Sequence, residues 1–238
     1  MCLLFLLWTA LAIYVERNKD DLSRKAQTEI NSRISGTLKI GHVDLSLFRH
    51  FPSITLRLTD VTLRDSAWSQ HHHDLLRAGD VYVSASLFRS LIKRRVELST
   101  IFLENATAYF YTDSTGYSNT SALKEHKADT TTQPQKGEAD VPAVALSEVR
   151  LVVDMQNKNK FFELDIHHLH ADINRDERTL FFDIRTDMRV DSFAFNTDKG
   201  SFVKDKPLSG HLAVSYNVAS KILQLGQVNL NIDGNEFA

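Results

Sequence analysis

The segment 51–65, FPSITLRLTDVTLRD, alternates between apolar and polar residues but changes phase in its middle. Such alternation is the pattern of a strand with one buried face. Without an extra residue at the phase change, the second half would turn its apolar side chains to the wrong face of a sheet. A β-bulge inserts that residue, and a turn between two short strands is the alternative interpretation. The apolar positions are Ile54, Leu56 and Leu58 before the pair Thr59-Asp60, and Val61 and Leu63 after it.

The same phase change recurs along the chain, always at a polar or glycine-containing pair. We predict a strand irregularity at each pair. Because bulges bend strands, the pattern predicts a mainly β protein with a long, curved, mostly antiparallel sheet. A β-sandwich, in which two sheets cover each other's apolar faces, is the alternative. The pairs are Gly41-His42, Thr59-Asp60, Ser99-Thr100, Ser147-Glu148, His167-His168 and Gly226-Gln227.

Composition and charge narrow the class of protein. A chain of 238 residues is long enough for one or two domains with a hydrophobic core. The net charge of -2 argues against a nucleic-acid-binding protein, which needs a concentrated basic surface. The single cysteine, Cys2, lies in an apolar N-terminal run, so the sequence predicts no disulfide framework.

The N-terminal run Leu3–Val15 is interrupted only by Thr9. A spanning helix needs about 20 apolar residues, so we predict that residues 1–15 are a membrane anchor that begins upstream of Met1. A signal peptide cleaved after Ala12 is the alternative, and a buried core helix is a third. We favour a retained anchor because the apolar run continues past the cleavage site.

Residues 16–35 have the pattern of an amphipathic helix. Leu22, Ala26, Ile30 and Ile34 recur at every fourth position and form one stripe, and Ser35-Gly36 ends the helix. Such a helix could lie on a bilayer surface or cover the end of the adjoining sheet. We favour the sheet, because the polar side of the helix mixes positive and negative charges.

The remaining chain divides at a polar segment. Residues 36–123 are predicted to be strand after strand, and residues 124–140 lack apolar periodicity and are predicted to be a linker. Strand patterns resume over residues 141–238 and are expected to be incomplete at the C-terminal end. Polar clusters at 156–160 and 174–178 predict hairpin turns.

No motif in the sequence predicts catalysis. There is no glycine-rich phosphate loop, no nucleophile elbow and no H-E-x-x-H, and we predict that the protein is not an enzyme. Two groups of histidines resemble metal ligands, 71–73 and 167–170, but no cysteine accompanies them. We interpret them as histidines of loops and strands, and we predict no metal and no cofactor.

Several segments resemble one known family. They are GTLKIGHVDLSLF at 36–48, FPSITLRLTDVTLRDSAW at 51–68, AGDVYVSASLFRSL at 78–91 and the G-x-x-N of Gly116–Asn119. Together with the anchor and the helix that precede them, these segments resemble the N-terminal part of the AsmA family as it occurs in Bacteroidetes-type bacteria. The similarity is good over residues 3–123 and weaker beyond the linker.

The resemblance implies a protein of the bacterial inner membrane, with a single N-terminal anchor and its bulk in the periplasm. It implies a repeating β-groove similar to that of TamB and the chorein-type lipid-transfer proteins. The implied function is to bind or conduct phospholipid between the inner and outer membranes, or to support outer-membrane assembly. The resemblance does not identify protein partners, and an anchored β-sandwich that acts as an interaction or adhesion module without lipid is the alternative. The predicted groove-lining residues are Leu56, Leu58, Val61, Leu63, Val83, Leu98 and Leu103.

Overall fold

The computed structural model describes residues 17, 21, 24–25, 27–28, 30–46, 53–86, 97–124, 141–176 and 178–237. Within them, the strands are β1 Thr37–Lys39, β2 His42–Ser46, β3 Ser53–Arg64, β4 Leu76–Ser86, β5 Leu98–Thr112, β6 Ala143–Met155, β7 Lys160–Asp176, β8 Thr179–Ala194, β9 Lys206–Asn217, β10 Ile222–Ile232 and β11 Asn235–Phe237. A short helix α1 spans Trp68–His71, and 3-10 turns span Asn119–Leu123, Gln156–Lys158 and Thr197–Lys199.

All eleven strands belong to one sheet, in the order β1-β3-β4-β5-β6-β7-β8-β9-β10-β11, with β2 also paired to β3. Every neighbouring pair is antiparallel except β5 and β6, which are parallel. The prediction of a mainly β, mostly antiparallel sheet is therefore confirmed. The described strands do not form the two sheets of the sandwich alternative.

The parallel joint between β5 and β6 follows from the connection between them. Antiparallel neighbours are joined by short turns, whereas parallel neighbours need a crossover that returns the chain to the starting end. Residues 113–142 make this return, and they contain the predicted linker, of which residues 125–140 lie outside the described ranges.

The hairpin turns contain residues that tolerate left-handed backbone. Asn159 ends the turn between β6 and β7 with φ 51°. Asp233 and Gly234 form the two-residue turn between β10 and β11, with φ 52° and 82°. Two positive φ angles in a two-residue loop match the twist of the flanking strands. The hairpin turns predicted at 156–160 and 174–178 are confirmed, since both segments join antiparallel neighbours.

A line of irregular positions crosses the sheet near its middle. In each of the strands β3 to β7, one residue has no partner in the ladder, and these skipped residues lie at the same level of the sheet. Gly41, between β1 and β2, lies beside the skipped residue of β3. The line ends against β8, which has no extra residue opposite His167. The skipped residues are Asp60, Gly79, Asn105, Glu148 and His167, and three of them have positive φ: Asp60 at 55°, Asn105 at 52° and Glu148 at 52°.

Five of the six predicted strand irregularities are confirmed. These five lie within strands. Three of them are at the skipped residues Asp60, Glu148 and His167. The other two are register shifts, at Ser99 between β5 and β4 and at Gly226-Gln227 between β10 and β9. The sixth, Gly41-His42, marks the joint between β1 and β2, which both pair with β3. The register shifts that define a β-bulge occur at Ser99, at His167 against β8 and at Gly226-Gln227, whereas the unpaired residues Asp60 and Glu148 lie opposite unpaired residues of the next strand.

The first edge of the sheet is capped by the preceding helix. The described residues between 17 and 33 are helical, as predicted for residues 16–35. Asn31 uses its side-chain amide to donate to the Leu38 carbonyl at 3.0 Å and to accept from the Leu38 N–H at 2.6 Å, and Gln27 donates to the Ile40 carbonyl at 3.0 Å. Beside β1 these amides replace a neighbouring strand, so this part of the edge is not open to further pairing.

The predicted anchor, residues 1–15, lies outside the described residues. Among the helical residues that the structure describes, none belongs to a helix long and apolar enough to cross a bilayer.

Candidate functional site: an apolar sheet face

One face of the sheet gathers apolar side chains from strand after strand. Directly paired residues share a face, so the ladders define rows that run across the sheet. Four adjacent rows are apolar, and we call their surface the apolar face. The first row contains Leu56, Val83, Ile101, Val144, Ala171, Ile184 and Leu212; the second Leu58, Val81, Leu103, Leu146 and Leu169; the third Val61, Ala78, Ala106, Val149, Ile166 and Met188; the fourth Leu63, Leu76, Ala108, Leu151, Leu164 and Val190.

Six of the seven predicted groove-lining residues belong to these rows, and the seventh, Leu98, lies beyond the first row on the same side of the sheet. Five of them, Leu56, Leu58, Val61, Val83 and Leu103, are members of one apolar cluster or pack against it. Leu63 belongs to a neighbouring cluster, and Leu98 pairs with Ala85 at the start of β5. The structure thus brings the seven side chains to one side of the sheet, and their contact with lipid remains a prediction.

The middle of the apolar face is buried by its own side chains. Val149 and Ile166 are each 2% exposed, although the described strands contain no second sheet to cover them. Toward the last strands the face opens, and Leu225 in β10 is 65% exposed. Neighbouring side chains in the middle rows therefore crowd one another, while those at the far end do not.

The corner beside β1 is closed by two other segments. Ala122, in the 3-10 turn Asn119–Leu123, is fully buried against Leu63 and Leu75, and Ile34 packs against the same cluster. Gly36 passes so close that a Cβ there would lie 2.7 Å from the Ala122 Cβ. Of the predicted helical stripe, Ile34 packs here, Ile30 is 37% exposed, and the side chains of Leu22 and Ala26 lie outside the described residues.

The opposite face of the sheet is polar. Arg57 donates to both carboxylate oxygens of Asp80, at 2.7 and 2.9 Å, and this hydrogen bonding holds the pKa of Asp80 below its usual value. Arg150 forms an ion pair with Glu163 on the same face. Exposed pairs of this kind each contribute little to stability, so their main consequence is that this face is suited to water.

The three consecutive histidines at 71–73 form part of an aromatic stack. His73 lies 4.2 Å from the Tyr109 ring with the two rings within 3° of parallel, and His71 lies 5.1 Å from Tyr111. The His71 Nδ1 accepts a hydrogen bond from the His73 backbone N–H at 3.1 Å. The Nε2 of a neutral His71 therefore carries the proton and donates to Asp65.

Asp65 is the buried acceptor at the centre of this cluster. Its carboxylate accepts from the Tyr117 hydroxyl at 2.5 Å and from His71 at 3.1 Å, and its side chain is fully buried. The Tyr117 hydroxyl also lies 2.9 Å from the Ser121 hydroxyl. The cluster ties the loop after β3 to the turn that covers the apolar face, so these groups already have structural partners.

We expect the stability of the fold to fall as pH drops below about 6.5 because of His73. Burial, with the neighbouring His71, lowers the pKa of His73 from its ordinary value of 6.5. The unfolded chain then binds more protons than the folded chain below that pH, so stability is lost with acidification. Urea unfolding at a series of pH values should show a weaker pH dependence in His73→Phe than in the parent.

His168→Gln is the control, since His168 is an exposed strand histidine. If His73→Phe and His168→Gln reduce the pH dependence equally, the aromatic stack does not lower the pKa of His73.

The second histidine group is split between positions in β7. His168 and His170 are exposed on the polar face, His170 lies 3.2 Å from Asp172, and His167 occupies a bulge. Within the described ranges, no three His, Cys, Asp or Glu residues are grouped so that they could hold a metal ion.

Asn119 has a structural role that the sequence did not predict. Its fully buried side chain donates to the Tyr109 carbonyl at 2.7 Å and accepts from the Tyr111 N–H at 2.9 Å. It pairs with β5 beyond the end of β4, where a neighbouring strand is missing. The G-x-x-N signature contained this residue, but only the buried edge of β5 explains it.

No protein-family model matches the chain, and it has no significant match among curated proteins or solved structures.

Proposed function

We propose that the apolar face binds the acyl chains of phospholipid. In this proposal the chain is a membrane-anchored periplasmic protein similar to the AsmA family. It conducts phospholipid between the inner and outer membranes or supports outer-membrane assembly. The observation that carries the proposal is a continuous apolar face with no covering layer among the described strands. Such a face is costly in water, since burial of a Leu or Val side chain contributes about 1.5–3 kcal/mol.

The line of skipped residues supports a curved sheet. Each of the adjacent strands β3 to β7 leaves one residue unpaired at the same level, and an irregularity in a strand bends it and increases the local twist. Side chains crowd on the concave side of a bent sheet and separate on the convex side. The near-complete burial of Val149 and Ile166 is consistent with an apolar face on the concave side. A concave apolar face with a polar back is a groove.

The dimensions suit lipid. The longest row crosses the seven strands β3 to β9, and neighbouring strands are about 4.8 Å apart, so this row is about 30 Å long. The hydrocarbon core of a bilayer is about 30 Å thick. Acyl chains can therefore lie along the rows without leaving the apolar surface.

Leu58→Glu is expected to preserve the fold and remove most of the phospholipid from the detergent-extracted full chain, by about fivefold or more. The carboxylate would stand in the path of the acyl chains, and lipid offers it no partner. Leu58 is half-buried and packs at the border of the buried cluster, so in the absence of lipid the charge can reach water. Lipid per chain is measured by mass spectrometry of the extract, and folding by thermal unfolding.

Two further variants calibrate this test. Thr107→Glu places the same charge on the polar face of β5 and should retain the parental amount of lipid. Leu63→Glu puts the charge beneath Ala122 in a closed corner, where it should destabilise the fold instead. The proposal fails if the parent carries no phospholipid, or if Leu58→Glu carries as much as Thr107→Glu.

A further inference from the structure

The charged residues of the apolar face lie only at its borders. Among the described strand residues that pair on this face, the only charged side chains are Lys160 and Arg175 at the two ends of β7 and Lys206 at the start of β9. All three are basic. The face is therefore apolar in the middle and positive at its margins, which is complementary to an amphiphile with an anionic head.

Lys160 is the margin residue with the clearest surroundings. Lys206 is paired with Asp233, whereas the described residues contain no carboxylate in an ion pair with Lys160. Its ammonium lies instead 5.9 Å from the centre of the Phe195 ring. Phe195 is 55% exposed, so the ammonium and this ring together form an open margin of the face.

Three aromatic rings continue from this ammonium onto the apolar face. Phe162 and Phe193 pair across β7 and β8 with ring centres 4.5 Å apart. The Phe195 ring stands edge-on to both, at 5.6 Å from Phe162 and 5.1 Å from Phe193. Aromatic side chains are well suited to the zone where a lipid changes from polar head to apolar tail.

Two turns add charge at the same corner. The Thr197 N–H donates to the Asn159 carbonyl at 2.8 Å, which holds the turn Gln156–Lys158 beside the turn Thr197–Lys199. These turns contribute Lys158 and Lys199, against the carboxylate of Asp198. The corner around Lys160 therefore has an excess of positive charge.

We infer that Lys160 and the Phe162–Phe193–Phe195 rings form a headgroup site that selects an anionic phospholipid. The inference rests on the proposed function, because it assumes that acyl chains occupy the apolar face. The ammonium binds the phosphate as a point charge, and the rings contact the glycerol and the first carbons of the acyl chains. A zwitterionic headgroup also carries a phosphate, but its own cation offsets the attraction to lysine.

The test uses the full chain in detergent with an equimolar mixture of phosphatidylglycerol and phosphatidylcholine of identical acyl chains. Native mass spectrometry counts each lipid bound per chain. The parent is expected to bind phosphatidylglycerol about fivefold more, which corresponds to about 1 kcal/mol. Lys160→Glu should reduce this ratio to about one or below and leave bound phosphatidylcholine within about twofold of the parent. Phe195→Ala should lower the binding of both lipids.

Lys39→Glu is the matched control, because Lys39 is exposed in β1 and pairs with Thr62 on the polar face. It should keep the parental ratio. Lys160→Gln, with thermal unfolding of every variant, covers the case in which the charge reversal disturbs folding.

The outcomes separate the two proposals. A parent without preference, a preference that survives in Lys160→Glu and Lys160→Gln, or loss of both lipids from a folded Lys160→Glu would each overturn the headgroup site and leave acyl binding standing. A parent that binds neither lipid would overturn the proposed function itself.

Discussion

Gly210→Ala is expected to lower the free energy of unfolding by about 4 kcal/mol and to separate β9 from β10. Gly210 has φ 148°, and an added Cβ would lie 2.1 Å from the Asn229 carbonyl oxygen in the next strand. That atom belongs to the backbone and cannot rotate away. Overpacking costs about 1–3 kcal/mol and an unfavourable backbone conformation about 1–2 kcal/mol more. Urea unfolding measures the total, and amide exchange in β9 and β10 locates it.

Gly200→Ala provides the comparison at another glycine with positive φ. Its φ is 83°, but nothing lies within 4 Å of the added Cβ, so only the backbone term of about 1 kcal/mol remains. Equal losses in the two variants would show that the contact with Asn229 is not what requires glycine at 210.

Asn119→Ala is expected to cost about 3 kcal/mol. The substitution leaves the Tyr109 carbonyl and the Tyr111 N–H without the partners that the buried amide supplies. Each buried polar group without a partner costs about 1–3 kcal/mol. For a domain of this size the melting temperature should fall by roughly 6–12 °C, which calorimetry or circular dichroism detects.

Asn174→Ala is the matched control for this substitution, because Asn174 is exposed in β7. Its effect should stay within about 0.5 kcal/mol, as is usual for surface positions. If the two asparagine variants melt at the same temperature, the bonds from Asn119 to β5 contribute nothing to stability.

The strand irregularities were the part of the fold that the sequence predicted best. Side chains alternate strictly along a strand, so an inserted residue must change the phase of the apolar pattern, and the pairs at Thr59-Asp60 and Ser147-Glu148 did so. The irregularity at Asn105 was missed although the apolar positions change phase there too, from Ile101 and Leu103 to Ala106 and Ala108. The residue type was a second signal, because Asn and Asp are enriched at positive φ.

The parallel joint could not be predicted from residue patterns. Whether β6 runs parallel or antiparallel to β5 depends on the path of residues 113–142, which carry little apolar periodicity. Strand patterns alone are the same for both directions.

The sequence predicted the apolar residues of the site but not its charged residues. The apolar positions followed from alternation, which is why all seven lie on one face. The basic margin was missed, because Lys160 and Arg175 are ordinary charged residues in a sequence that is 24% charged. Only the register of β7 against β6 and β8 places them on the apolar side.

The strand order of the sheet determines how the molecule can change in size. Apart from β1 and β2, which both pair with β3, each strand meets only its neighbours in sequence. A globular domain must enlarge its core as it grows, whereas in an array of neighbours each added element brings its own share of stability. Insertion or loss of one hairpin would change the span of this molecule by two strand widths, about 10 Å, with no other pairing rearranged. Its reach is therefore a quantity that evolution can alter in steps, independently of the rest of the fold.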